Sequence, residues 1–130
     1  MSVLLLLAAL VGCHSMNLTS CGGESQPAVQ ELVYFGTDMP SGRVTSEDWA
    51  QFLSAVVTPR FPAGLSTWQA SGQWRAASGT IIREPSYVLS LVHPDDIQAN
   101  QAVQEIVVSY KTRFQQEAVL RIRSATCMSL

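Results

Sequence analysis

The sequence predicts an α+β domain of the ferredoxin-like βαββαβ type: a four-stranded antiparallel sheet in the order 4-1-3-2 with two helices on one face. Three observations predict it. The patterns run strand, helix, strand, strand, helix, strand. The runs at the first and third strand positions are nearly continuous in apolar residues, as central strands require, whereas the second and fourth alternate with polar ones, as edges do. Finally, 130 residues that are 47% hydrophobic and 14% charged supply one core and no second domain.

The elements follow in order. Glu31 to Gly36 (ELVYFG) is rich in strand formers and predicts the first strand, with the domain beginning near Gln30. Thr37 to Arg43, with Pro40 and Gly42, is a loop. Thr45 then stands as a helix N-cap with Asp48 at the third helical position, and Val44 and Trp49 have the spacing of a hydrophobic staple. Trp49, Phe52, Leu53, Val56 and Val57 repeat at helical spacing until Pro59 ends the run.

Leu65 to Arg75 alternates with Ser66, Thr67, Gln69, Ser71 and Gln73, which predicts an edge strand, and Ala76 to Gly79 a turn. Thr80 to Glu84 returns, Pro85 is expected to interrupt the ladder, and Tyr87 to Val92 resumes as a central strand, so the hairpin tip is expected to project beyond the sheet. Pro94, Asp95 and Asp96 open a second helix whose stripe is Ala99, Val103, Ile106, Val107, Tyr110 and Phe114. Ala118 to Cys127 closes the sheet, with Leu120 and Ile122 alternating against Arg121 and Arg123.

Ahead of the domain, residues 1–12 form an apolar run of signal-peptide length, too short to span a bilayer. Leu10-Val11-Gly12-Cys13 is similar to a bacterial lipobox, which makes Cys13 the expected lipidation site and first mature residue. The alternative, that Cys13 merely ends a secretory signal cut elsewhere, stays open. His14 rather than Asp after the cysteine favours outer-membrane sorting in a Gram-negative cell. Residues 13–29, rich in Ser, Gly, Asn and Gln, are expected to be a tether, and 30–130 the single domain. In an exported protein Cys21 and Cys127 are expected to pair, since the proposed topology brings both ends of the domain to one pole.

Eight basic residues against ten acidic ones, with no basic run, exclude a nucleic-acid partner that depends on neutralising phosphates. No metal or cofactor is expected, because His14 and His93 are the only histidines and no phosphate loop is present. The topology sorts the remaining polar residues into two poles. At one, the hairpin residues Trp74, Arg75, Arg83 and Glu84 combine aromatic and guanidinium groups suited to a carboxylate, phosphate or sugar. At the other, Arg60, His93 and Asp95 form an acid-base set, with Arg60 and His93 the alternative site. Against the first stands plain solvation of Arg83 and Glu84; against the second, a histidine that only packs. Arg121 and Arg123 are expected on the sheet face opposite the helices, where a second copy of the chain competes with a ligand as occupant.

From Glu31 onward the chain resembles a bacterial family known as domain of unknown function 3574 (DUF3574). The resemblance rests on Glu31 to Gly36, Thr58 to Leu65 (TPRFPAGL), Gly72 to Arg75 (GQWR), Arg83 to Ser86 (REPS) and His93-Pro94. Tyr110 to Phe114 (YKTRF) and Cys127 before Met128-Ser129-Leu130 complete it. The family implies a secreted or lipid-anchored setting and no assigned activity. The expected function is thus a non-catalytic binding or interaction domain of the cell envelope, facing the periplasm and held to the membrane through Cys13. The alternative is a small ferredoxin-like enzyme doing acid-base chemistry on a small molecule.

Overall fold

The computed structural model describes residues 20–130; the expected signal segment and Cys13 lie outside the described residues. Four long strands build one antiparallel sheet: β1 (Gln26–Gly36), β4 (Ser66–Arg75), β5 (Ile81–His93) and β6 (Leu120–Met128), in the order β4-β5-β1-β6. The two apolar strands, β1 and β5, are the central pair, aligned from Val29 opposite His93 to Gly36 opposite Ser86. A two-residue ribbon, β2 (Asp38–Met39) with β3 (Gly42–Arg43), fills the loop after β1.

β1 begins at Gln26, inside the stretch expected to be tether, because Gln26 to Gln30 pair with the end of β6 and Ala28 and Val29 are buried. The disulfide Cys21–Cys127, with Cα atoms 5.6 Å apart, fastens the segment just before β1 to the last turns of β6. It closes a span of 106 residues, for which the loss of unfolded-chain entropy amounts to about 4.7 kcal/mol at most.

Helix α1 (Ser46–Phe52) starts as its sequence dictates: Thr45 Oγ1 accepts from Asp48 N–H at 3.1 Å, and Asp48 Oδ2 accepts from Thr45 N–H at 2.9 Å. It runs on as a π-helical turn, Leu53–Val57, in which Thr58 N–H reaches back five residues to Leu53 O. Pro59 has no N–H to continue the ladder. Helix α2 (Ile97–Arg113) is capped by Asp96, whose carboxylate accepts from Ala99 N–H at 2.7 Å.

Odd-numbered residues of β1 and β5 face both helices. Val33, Phe35, Tyr87, Leu89 and Leu91 pack there against Trp49, Phe52, Val57, Val103, Ile106, Tyr110 and Phe114. Trp49 stacks on Tyr87 with ring centroids 4.6 Å apart, and Tyr110 tilts against Phe35 at 4.6 Å.

Pro85 does not interrupt β5, contrary to the expectation from sequence. Its carbonyl accepts from Thr37 Oγ1 at 2.6 Å, so its nitrogen faces the same side, where β1 has already ended at Gly36. No ladder bond is required there. The β4–β5 hairpin continues past that point alone, pairing Gly72 with Glu84 and Arg75 with Ile81.

Arg121 and Arg123 do not lie on the face opposite the helices. Register places Arg123 beside Glu31 and Arg121 beside Val33, on the helix side, and turns Leu120 and Ile122 outward. The reason is Glu31, a carboxylate buried under α2 on the neighbouring strand, which draws both guanidinium groups to its own face. The outer face is consequently apolar. Trp68, Val92, Leu120 and Ile122 stand on it between 43 and 58% exposed.

Candidate functional site

At the end of the sheet where β1 stops, the open face deepens into a cleft of about 630 Å³. Its walls are the projecting hairpin, the loop after β1 and the turn between α2 and β6. Tyr34, Trp74, Ile82 and Leu120 give it an apolar lining, and Gln73, Glu84, Gln116 and Glu117 its polar groups.

The cleft is built around Glu84. Its Oε2 accepts from the backbone N–H groups of Thr37 (3.0 Å) and Asp38 (2.7 Å), and its Oε1 from the Trp74 indole N–H (3.1 Å). Three neutral N–H dipoles thus hold one carboxylate, and through it the hairpin is locked to the end of β1. The contact depends on Gly36: a Cβ there would sit 2.8 Å from Glu84 Oε1.

The third wall is set by the end of α2. Gln115 adopts a left-handed φ of 52°, and Gln116 N–H bonds back to Lys111 O, closing a Schellman turn on a residue that is not glycine. That turn aims the Gln116 amide at Asp38 O (2.7 Å) and Phe114 O (3.1 Å), stitching the walls together. Beneath, the Tyr110 hydroxyl donates to Gly36 O at 2.8 Å. Burial, reinforced by Tyr87 and by the Glu84 and Asp48 charges, raises the Tyr110 pKa well above the ordinary phenol value.

The four hairpin residues singled out from sequence divide. Trp74 and Glu84 line the cleft; Arg75 and Arg83 alternate to the other side of the ribbon and are exposed. The guanidinium groups thus do not serve an anion in this cleft. Tyr34, Gln116 and Leu120 belong to it and were not legible as site residues, because three separate segments bring them together. The only available signal was Gly36 directly after an apolar strand, a mark of close approach by another group.

At the opposite pole the acid-base set is reorganised. His93 is buried, its Nδ1 2.7 Å from Pro94 O and its Nε2 3.3 Å from Glu31 Oε1, with the Phe61 ring 5.7 Å away. Glu31 also takes two bonds from Arg121, whose guanidinium reaches Asn100 Oδ1 at 2.9 Å; Arg123 bridges to Asp95. Arg60 stands apart, on Glu105 (3.1 Å) and Val56 O (2.8 Å). Arg60 and His93 therefore share no hydrogen-bond or ion-pair partner. Glu31 is the residue that sequence reasoning missed here, although a lone carboxylate in an apolar strand, paired with a strand that carries two arginines, marks a buried ion cluster.

The architecture defines a small α+β protein with a cleft on the open face of its sheet. Residues 30–130 match the family described as protein of unknown function (DUF3574), and the chain belongs to that family. No curated protein matches the sequence. Among solved structures it is similar to a phage SAM lyase in complex with S-methyl-5′-thioadenosine, with a TM-score of 0.59 at 15% identity, covering 84% of this chain and 92% of that one. The same lyase in its apo state gives 0.55 at 13%, covering 83% and 92%. CutA from Synechococcus elongatus complexed with a Bis-Tris molecule gives 0.52 at 13%, covering 80% and 85%. At such identities the likeness is one of fold alone.

Proposed function

We propose that this chain is an exported binding domain of the cell envelope that holds a small molecule in the cleft between Trp74, Tyr34 and Leu120, without transforming it. The observation that carries the reading is the make-up of the cleft. It is concave, mostly apolar and of ligand size. Its central carboxylate, Glu84, is already engaged by three N–H groups of the protein itself, as an anchoring group is. Two solved structures of similar fold hold a small molecule, S-methyl-5′-thioadenosine in the phage SAM lyase and Bis-Tris in CutA, which supports the idea that such a scaffold can do so. A ferredoxin-like arrangement is supported by the strand order: without the β2–β3 ribbon, the long strands run fourth, first, third, second. Export and a lipid anchor on Cys13, with the domain in the periplasm at the outer membrane, are supported by the apolar start and by a disulfide suited to an oxidising compartment.

The test is a small-molecule screen by thermal shift, followed by Trp74→Ala. Saturable binding that disappears in the variant, with the unliganded melting temperature nearly unchanged, is the expected result. Binders indifferent to Trp74→Ala would sink the assignment, and chemical conversion of a bound compound would hand it to the enzyme reading.

The open face supports a second reading, pairing with another copy. Apart from Glu84, its outward residues carry no charge, so two such faces meet without repulsion. Light scattering would then show a dimer that Ile122→Glu dissociates.

A further inference from the structure

We infer that the ligand of the cleft is an organic cation of the onium type, a quaternary ammonium or tertiary sulfonium carrying an apolar body. The inference rests on the cleft being the binding site, and deepens that reading. Three carboxylates, Asp38, Glu84 and Glu117, line the cavity, and no Lys or Arg does. Arg43 cancels Asp38 at 2.9 Å. Glu84 is met by N–H dipoles alone, and Glu117 has no ion-pair partner among the described residues. Of the other basic side chains, Arg121 and Arg123 are committed to Glu31 and Asp95, Arg60 to Glu105 and Arg113 to Gln51, Arg75 and Arg83 lie on the reverse of the hairpin, and Lys111, on the last turn of α2, does not line the cleft. The cleft therefore presents uncompensated negative charge over a mostly apolar surface.

Aromatic rings decide the kind of cation. The Trp74 indole is oriented by its bond to Glu84, and Tyr34 lies on the same open face, so their electron-rich π faces are available to a positive centre. Glu84 has spent three of its roughly four acceptor positions on the protein's own N–H groups. At Glu84 itself a primary amine with three N–H donors would find about one free acceptor position. A cation that offers methyl groups needs only the field and the rings.

Three probes separate the possibilities in the folded protein at low salt: benzyltrimethylammonium, benzyl alcohol and phenylacetate. Each is titrated by calorimetry and followed through the Trp74 indole N–H resonance. The expected result is that the ammonium binds about tenfold more tightly than either other probe and shifts that resonance. It should also weaken roughly two- to fivefold in Glu117→Gln, which breaks no bond of the fold, whereas benzyl alcohol should not change. Phenylacetate or benzyl alcohol moving the Trp74 signal at equal or lower concentration would overturn the cation class and leave the cleft standing. Silence of the Trp74 signal to all three would remove the cleft and the cation together.

Discussion

Two glutamates divide the molecule. Glu31, near the pole of the disulfide, is fully buried and met by cations, Arg121 twice and Arg123 at 3.6 Å, with the His93 ring beside them. Glu84, at the cleft, is half-buried and met only by dipoles. Both carboxylates are well bonded, yet one has its charge cancelled inside the fold and the other keeps its charge facing a cavity. The lesson is that hydrogen-bond satisfaction does not distinguish a structural carboxylate from one that acts outward; the charge of its partners does.

The comparison breaks first at Glu31. Glu31→Ala leaves Arg121 and His93 beside an empty, water-poor space, and should cost about 3–5 kcal/mol of unfolding free energy in urea titrations. If the variant loses less than about 1 kcal/mol, the cluster is no keystone and the contrast collapses. Gly36→Ala probes the other carboxylate. The added methyl must displace Glu84 from its three donors, costing about 1–3 kcal/mol and moving the Trp74 indole N–H resonance in the same variant. A destabilised protein with an unmoved Trp74 signal would show that Glu84 does not organise the cleft.

The gentlest probe is pH, and it reaches two groups through opposite signs. The Asp48 pKa is held below its ordinary value by its bonds to Thr45, so its contribution is complete above the unfolded value and disappears as pH falls through the lowered folded one, below about 4. Tyr110 behaves in reverse. Its raised pKa keeps the phenol neutral in the fold, so stability declines as pH climbs above about 10, where the unfolded chain releases the proton and the folded one does not. Melting temperatures recorded from pH 3 to 11 check both limbs, and removing the hydroxyl with Tyr110→Phe should flatten the alkaline one.

Much of the fold was legible because local pattern and global order agreed. Thr45 and Asp48 wrote the start of α1, and the apolar runs of β1 and β5 marked the central strands. What misled was the assumption that the apolar side of β6 faces the core. Leu120 and Ile122 look inward by composition, but Glu31 on the adjacent strand set the register of charge, and edge strands obey their neighbour before their own hydropathy. Pro85 misled for a related reason, since a proline is forbidden only where a partner strand awaits its N–H. The cleft was half legible. Alternation along the hairpin separates Trp74 and Glu84 from Arg75 and Arg83, but the closure of the cavity by Gln116 depends on a left-handed Gln115 that no helix-ending signal announced.

The Cys21–Cys127 bond has a mechanical consequence. It joins the chain's entry into the domain to the end of its edge strand, at the far end of β1 from Gly36, a strand of 11 residues and roughly 35 Å. A pull on the segment before Cys21 is carried by that covalent corner into β6, and the load never crosses the loops that shape the cleft. A load applied there would thus be borne at one end of the domain, with the opening of the cleft at the other.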